Sequence, residues 1–370
     1  MATQAVSKPI VQSALLFMPD ISGFTQFVNE TEILHAQSII QEVLEILLES
    51  NQLSFEVGGI EGDAIFFYRL GKAPTIDQLL EQVKTMYTRF HQHLQLYDQK
   101  RICPCNACKS AKNLKLKIIA HYGEVATYDV KEHQQLYGKD VIVVHRLLKN
   151  SLNKKEYALL TDSIFKETDS LSTHPLLSEA LKAAENYDIG EIHFKVIDLM
   201  PLHQALPLVE APVICLADKT RVAFSEEKVI DASIEKVFLT IMDLSQRTRW
   251  MEGIKGIEIL SKDSINRMGT IHRCVIGKNN PIIVTVKAMI KEDEMELVEM
   301  DQKGIAGLRY YLQKGDEKET LLRLEILIKR SFLISLFFDL LMKAKMKKQI
   351  IKSMENLQHY CNESDDKQNI

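Results

Sequence analysis

Across roughly the first 165 residues, strand and helix signals alternate in an order that few folds accept. Ala14-Leu15-Leu16-Phe17-Met18 is a short apolar run of buried-strand length. Ile33 to Leu48 repeats apolar residues near the helical period, at Ile33, Ile39/Ile40, Val43/Leu44 and Leu47/Leu48. Leu53, Phe55 and Val57 alternate, Gly58-Gly59 turns the chain, and Ala64 to Tyr68 is apolar again. That is the pattern of a β-hairpin with Asp63 at its turn. A helix over Ile76 to Leu96, a strand over Leu114 to Ala120, a helix from Val141 to Leu148 and a strand over Tyr157 to Leu160 follow. The order β-α-β-β-α-β predicts a ferredoxin-like α+β plan, extended by a strand over His193 to Leu199.

Two aspartates stand where this plan leaves the backbone rigid and exposed. Asp20 closes the first strand in Phe17-Met18-Pro19-Asp20-Ile21-Ser22-Gly23-Phe24-Thr25, and Asp63 lies in Glu61-Gly62-Asp63-Ala64. If the first strand and the hairpin are neighbours, both carboxylates face one point. Two carboxylates plus triphosphate oxygens suit Mg²⁺ or Mn²⁺, which take few protein ligands and keep water. Two such ions clamp the attacking and leaving oxygens of phosphoryl transfer. Gly23 and Gly62 permit close backbone approach, and the N–H groups where a helix opens near Phe24 suit phosphate. Taken singly, Asp20 reads as a helix cap and Asp63 as a turn residue. Their spacing and flanks together favour the metal reading.

Four blocks now agree in order and spacing: Phe17 to Phe27, Glu61 to Ala64, His121-Tyr122-Gly123-Glu124, and Tyr137-Gly138-Lys139-Asp140-Val141 to Arg146-Leu147. They resemble the class III nucleotidyl cyclase domain, over about residues 11–165, in an uncharacterised bacterial branch similar to DUF2652. The resemblance implies that Asp20 and Asp63 hold the metal ions. It implies that Arg146 stabilises the transition state across a homodimer, serving the partner chain's aspartates. Three positions depart from the family. Ile142 replaces an asparagine, Gly59 replaces the base-reading lysine, and Gln135 replaces the other base-reading residue, usually aspartate. Gln135 can still pair with a base edge; Ile142 cannot orient anything by hydrogen bonding. The resemblance leaves two readings: a divergent cyclase acting on a nucleoside triphosphate, or a domain that only binds nucleotide or dimerises. Lys139, Asp140 and His145 are further candidates.

Cys103-Pro104-Cys105-Asn106-Ala107-Cys108 places three thiols in six residues. Thiolates at this spacing suit Zn²⁺, but a closed site takes four ligands, with His91, His93 or His121 as candidates for the fourth. A redox loop is the alternative. Lys100, Arg101, Lys109 and Lys112 flank it and read as a solvated face or as cations that lower the thiol pKa.

Beyond Pro201, Pro207 and Pro212 the pattern changes. Residues 201–220 read as a linker between a first domain over 11–200 and a second over 221–361, with tails over 1–10 and 362–370, the latter expected to be disordered. The second domain opens with a strand over Arg221 to Ile230 and a helix over Ser233 to Asp243, then a series of strands up to Ile328 and a helix from about Ile334 to Cys361. Val229 to Phe238, Met242-Asp243, Arg249-Trp250, Gly269-Thr270 and the final helix resemble the helix-grip superfamily of START-like (SRPBCC) lipid-transfer proteins and polyketide cyclases. The resemblance implies a curved sheet around the last helix and an apolar small-molecule ligand. Trp250 reads as core, as does the stripe Leu336, Phe337, Leu340, Leu341, Ile350, Ile351, Met354 and Leu357. Lys343, Lys345, Lys347, Lys348 and Lys352 read as a solvated face. His272 and Cys274 share one face of a strand.

The chain has 370 residues, a net charge of −4 and 46% hydrophobic residues, which gives no global pointer to nucleic acid. Met1 to Gln12 shows no apolar leader, and the run Phe332 to Met342 falls short of the ~20 residues of a membrane span. Six cysteines without an export signal lead to the expectation of a reducing, cytoplasmic setting.

Overall fold

A computed structural model describes residues 11–130, 133–167, 172–211, 214–217, 219–261, 265–277, 280–316 and 318–366. The expected tail over 1–10 lies outside them, as do residues 367–370. The chain divides into two units, Met1–Asp98 with Ser110–Val209, and Gln99–Lys109 with Glu210–Ile370.

In the first unit Leu15, Leu16, Phe17 and Met18 are successive residues and all are buried. Successive side chains of a strand point to opposite faces, so a continuous apolar run needs cover on both. β1 (Val11–Ser22) accordingly lies inside the sheet, between β3 (Ala64–Leu70) and β4 (Lys115–Val130), antiparallel to each. β2 (Glu56–Glu61) forms a hairpin with β3. Helices α1 (Phe24–Asn29) and α2 (Ile33–Glu49) join β1 to β2, and α3 (Ile76–Lys100) follows β3. After α4 (Asn106–Ser110), all but the last residue of which belongs to the second unit, the chain enters β4. The resulting order β2-β3-β1-β4 interleaves two split β-α-β units, which is the ferredoxin-like plan. Beyond it, β5 (His133–Tyr137) pairs with the end of β4, and α5 (Lys139–Leu147) follows. β6 (Tyr157–Thr161) lies parallel to β4. After α6 (Asp162–Glu167), β7 (Leu181–Tyr187) and β8 (Gly190–Asp198) extend the sheet, and α7 (Met200–Gln204) comes last. α5 buries Val143, Val144 and Leu147 against the face formed by Ala14, Leu16, Met18 and Phe66.

The second unit holds a seven-stranded antiparallel sheet of order β10-β11-β12-β13-β14-β15-β9. Its members are β9 (Thr220–Ile230), β10 (Gly256–Ile259), β11 (Ile271–Val275), β12 (Ile282–Ile290), β13 (Glu294–Asp301), β14 (Ala306–Lys314) and β15 (Thr320–Lys329). The predicted strands recur with ends moved by a few residues. α8 (Ile234–Met242) starts where the Ser233 side chain accepts a hydrogen bond from Lys236 N, an N-cap readable from sequence. α9 (Arg247–Trp250) carries the fully buried Trp250. α10 (Phe332–Phe337) runs through one π-helical stretch into α11 (Lys343–Asp366). The closing helix therefore continues past Cys361 into the stretch expected to be a disordered tail.

The expected apolar stripe divides. Ile350, Met354 and Leu357 are buried, whereas Leu336, Phe337, Leu340, Leu341 and Ile351 are exposed in the single chain; Phe338, outside the expected stripe, is buried. Helical spacing alone does not reveal which turns of a long helix meet the sheet.

Beneath the sheet, Arg247 Nη1 meets Glu299 Oε2 at 2.7 Å, both wholly buried, with Tyr310 OH at 3.4 Å from the same oxygen. His272 is 0% exposed with no hydrogen bond to either ring nitrogen. Burial first, and then the Arg247 charge, hold its imidazole neutral, with a pKa lowered to about 4 against a partial pull from Glu299. A depressed histidine contributes stability that is present above its unfolded pKa and lost as pH falls toward its folded one. Acidification from pH 7 to 4.5 should therefore cost this unit about 2–3 kcal/mol through His272. Urea melts followed by the fluorescence of Trp250, the one tryptophan, should show that loss. His272→Gln should remove it; parallel pH profiles for the two proteins would contradict the assignment.

Candidate functional site

β1 reaches the site through its pairing. Asp20 stands opposite Ala64 on β3 and opposite Lys117 on β4. The hairpin turn is closed against β1 by a hydrogen bond from Ile21 N to Asp63 O of 3.1 Å. Gly62, at φ 68°, takes the left-handed conformation that this two-residue turn demands. Asp20 and Asp63 are thereby held side by side, as the sequence led us to expect.

Their electrostatics are those of a crowded carboxylate pair with one cation. Lys117 Nζ lies 2.8 Å from Asp20 Oδ2 and donates also to Leu148 O at 3.0 Å. The Asp63 carboxyl is pushed up to about 6, mainly by burial and next by the charge of Asp20; its own backbone and Lys117 pull the other way. Two acceptor-only groups in mutual repulsion fit a divalent cation, whose charge would relieve both.

The other expected residues fall around this pair. Gly23, at φ 90°, precedes α1, and Phe24 opens that six-residue helix half-buried. Phe24 also lines an apolar groove of about 650 Å³ with Ile33, Ile40, Leu44, Leu48 and Ile60. Arg146 is exposed near the end of α5, and within one chain its guanidinium pairs with Asp188 Oδ2 at 2.8 Å, in the β7–β8 turn. Ile142, four residues earlier, is exposed on the same helix face. Gln135 is exposed on β5 opposite Tyr128. A side chain added at Gly59 would meet open space, so the departure there leaves room rather than filling a gap.

Asp140, a further candidate, is committed to the fold. Its carboxylate accepts from Glu124 N at 2.7 Å and meets His121 Nε2 at 2.9 Å, while His121 Nδ1 lies 2.8 Å from Thr161 Oγ1. A Cβ on Gly123 would fall 2.2 Å from Asp140 Cγ, so only glycine admits the carboxylate there. His145 pairs with Glu61 Oε2 at 3.3 Å, which ties α5 to the aspartate hairpin. Lys139 is exposed.

The sulfurs of Cys103, Cys105 and Cys108 lie within 4.8 Å of one another, and all three residues are buried. Hydrogen bonding among the thiols, above all, and burial hold the Cys103 thiol far above its usual range. The histidines expected to complete this site are engaged elsewhere. His91 meets Glu156, His93 meets Glu42 and His121 meets Asp140.

Comparison with known proteins locates the family. A family model described as a protein of unknown function, DUF2652, matches residues 40–157. The uncharacterized protein Rv2561/Rv2562 of Mycobacterium tuberculosis is 32% identical over 158 residues, 43% of this chain and 72% of the relative. The chain belongs to the DUF2652 family. Among solved structures this DUF2652 protein is similar to a bacterial light-regulated adenylyl cyclase, with 15% identity, 54% of this chain covered and a TM-score of 0.39. It spans 57% of that protein's length. The guanylate cyclase domain of RhGC from Catenaria anguillulae, solved with GTP, matches 52% of this chain and 98% of its own, at 14% identity and a TM-score of 0.36. For the adenylyl cyclase CyaB from P. aeruginosa the coverage is 52% and 97%, with 12% identity and a TM-score of 0.34.

Sequence reasoning missed Lys117 and the Arg247–Glu299 pair. Lys117 alternates with the apolar Leu116 and Ile118, as Lys115 does with Leu114 and Leu116, so nothing local sets it apart from a solvated lysine. Arg247 and Glu299 are 52 residues apart, and no local pattern joins them.

Proposed function

We propose that the first unit is a divergent class III nucleotide cyclase that acts as a homodimer on a divalent metal–nucleoside triphosphate. The observation that supports this most is the side-by-side placement of Asp20 and Asp63, with the Asp63 carboxyl pushed up to about 6. In the reaction the ribose 3′-oxygen bonds to the α-phosphorus, the bond from that phosphorus to the pyrophosphate oxygen breaks with its electron pair going to the departing pyrophosphate, and the hydroxyl proton passes to water. Mg²⁺ or Mn²⁺ at Asp20 and Asp63 would activate the attacking oxygen and neutralise the leaving one. Backbone N–H groups after Gly23, at Phe24, approach the phosphates. Arg146 of the partner subunit stabilises the charge that develops on them. Release of its own chain's Asp188 is the rearrangement that this role requires. With Gly59 and Ile142 offering no hydrogen bond, Gln135 is left as the single base-edge partner, so base discrimination is weak.

The test is incubation with Mn²⁺ or Mg²⁺ and each of the four ribonucleoside triphosphates. Cyclic nucleotide should form and fall by at least about 100-fold in Asp20→Ala and Asp63→Ala. Metal-dependent nucleotide binding without turnover would favour the degenerate, binding-only reading. Absence of both would refute the two nucleotide readings together.

A cavity favours a second function in the other unit. It measures about 350 Å³ and is lined by Ile254, Ile276, Leu308 and Ile350, with Arg247 and Glu299 in its wall. We infer a helix-grip domain that binds a mainly apolar small molecule. Mass spectrometry of the denatured protein should release a co-purified apolar compound. Leu308→Trp, which fills the cavity, should abolish its recovery, and equal recovery from both proteins would oppose this reading.

The clustered thiols are proposed to hold Zn²⁺. Purified protein should contain zinc that Cys105→Ser reduces by about one equivalent, and unchanged zinc content would point to a redox or purely packing role.

A further inference from the structure

The geometry points to a second metal site in the first unit, formed by His91, Glu156 and His203 and suited to Zn²⁺. One ligand atom from each lies within 4.8 Å of the others. The three come from separate parts of the chain. His91 is on α3, Glu156 immediately precedes β6, and His203 is on α7.

The second observation is an unmet demand for partners. His91 is 3% exposed, and its Nε2 lies 2.7 Å from Glu156 Oε1, the one contact given for that nitrogen. His203 Nδ1 is buried without a hydrogen-bond partner. A buried polar nitrogen left unsatisfied costs about 1–3 kcal/mol, so a lone His203 nitrogen in this cluster needs an explanation. A cation between them supplies it, because each imidazole would then offer a lone pair instead of a proton.

The surroundings are those of a carboxylate already oriented. Tyr87 OH donates to Glu156 Oε1 at 3.1 Å, and Lys115 Nζ lies 3.3 Å from Oε2. Such outer contacts fix a ligating carboxylate. Burial, the largest influence on His91, keeps its imidazole in the neutral form that ligates. The His91 and His203 rings sit edge to face with centroids 4.6 Å apart, so both imidazoles border the same carboxylate cluster. Two imidazoles and one carboxylate suit Zn²⁺ over Mg²⁺ or Ca²⁺, which select oxygen donors.

Co²⁺ serves as the probe, because thiolate and imidazole sites differ in its visible spectrum. In a full-length chain carrying Cys103→Ser, Cys105→Ser and Cys108→Ser, about one Co²⁺ per chain should still bind, with d–d absorption and no sulfur charge-transfer band. His203→Ala, on the short partly exposed α7, should weaken that binding at least about tenfold. The site is refuted if the thiol-free chain binds no Co²⁺, or if His203→Ala leaves the affinity within about twofold. Should the thiol-free chain not fold, His203→Ala alone in the thiol-intact protein decides. Loss of the imidazole-type bands with the sulfur band retained supports the site, and an unchanged spectrum removes it.

Discussion

The structure of the first unit depends on β1 being paired along both edges. Twelve register pairs join it to β4, and the hairpin strand β3 lies on its other side. Backbone ladders on both sides leave β1 no freedom to slip, because a shift of one residue would turn Leu16 and Met18 to the opposite face. Asp20 sits near the end of this clamped strand. Its position is set by the core, while its carboxylate remains at the edge of it. Lys117 and the Asp63 turn reach it through the same two ladders, so one constraint builds both the fold and the charged cluster.

The ferredoxin-like order was legible because each of its elements carries a local signal: apolar runs for β1 and β3, 3.6-residue spacing for α2 and α3, glycines at the hairpin. The aspartate pair was legible for the same reason, since strand ends and turns are local features. What was not legible was long-range. β7 alternates between exposed and half-buried residues, Leu181 itself being exposed, so its pattern carries little apolar signal. The engagement of His91 by Glu156 rather than by the thiols joins residues far apart in sequence. The exposure of Leu340 and Leu341 followed from where α11 meets its sheet, a matter of packing that period alone does not encode.

Both units bury charge, with different physical results. Arg247 and Glu299 neutralise each other through a single buried contact in which Arg247 Nη1 donates to Glu299 Oε2, and removing one partner of such a pair typically costs about 3–5 kcal/mol because the other is stranded. That pair borders the cavity, where its two charges balance each other, and the lining also carries Glu252, Asp301 and Lys345.

At Asp20 and Asp63 the balance is incomplete. Lys117 offers one positive charge to two carboxylates, and Asp63 answers by holding its proton to about pH 6. Near neutral pH the cluster is therefore left one charge short of compensation. A divalent ion would add that charge where Lys117 cannot, since Lys117 is tethered to Asp20 and to the Leu148 carbonyl. The aspartate pair rests on the clamped strand and hairpin, whereas Gln135 stands on a short strand paired to the end of β4 and Ile142 on an exposed helix face. A substitution at those outer positions removes little buried surface, so the core constrains them less than it constrains the strand that carries Asp20.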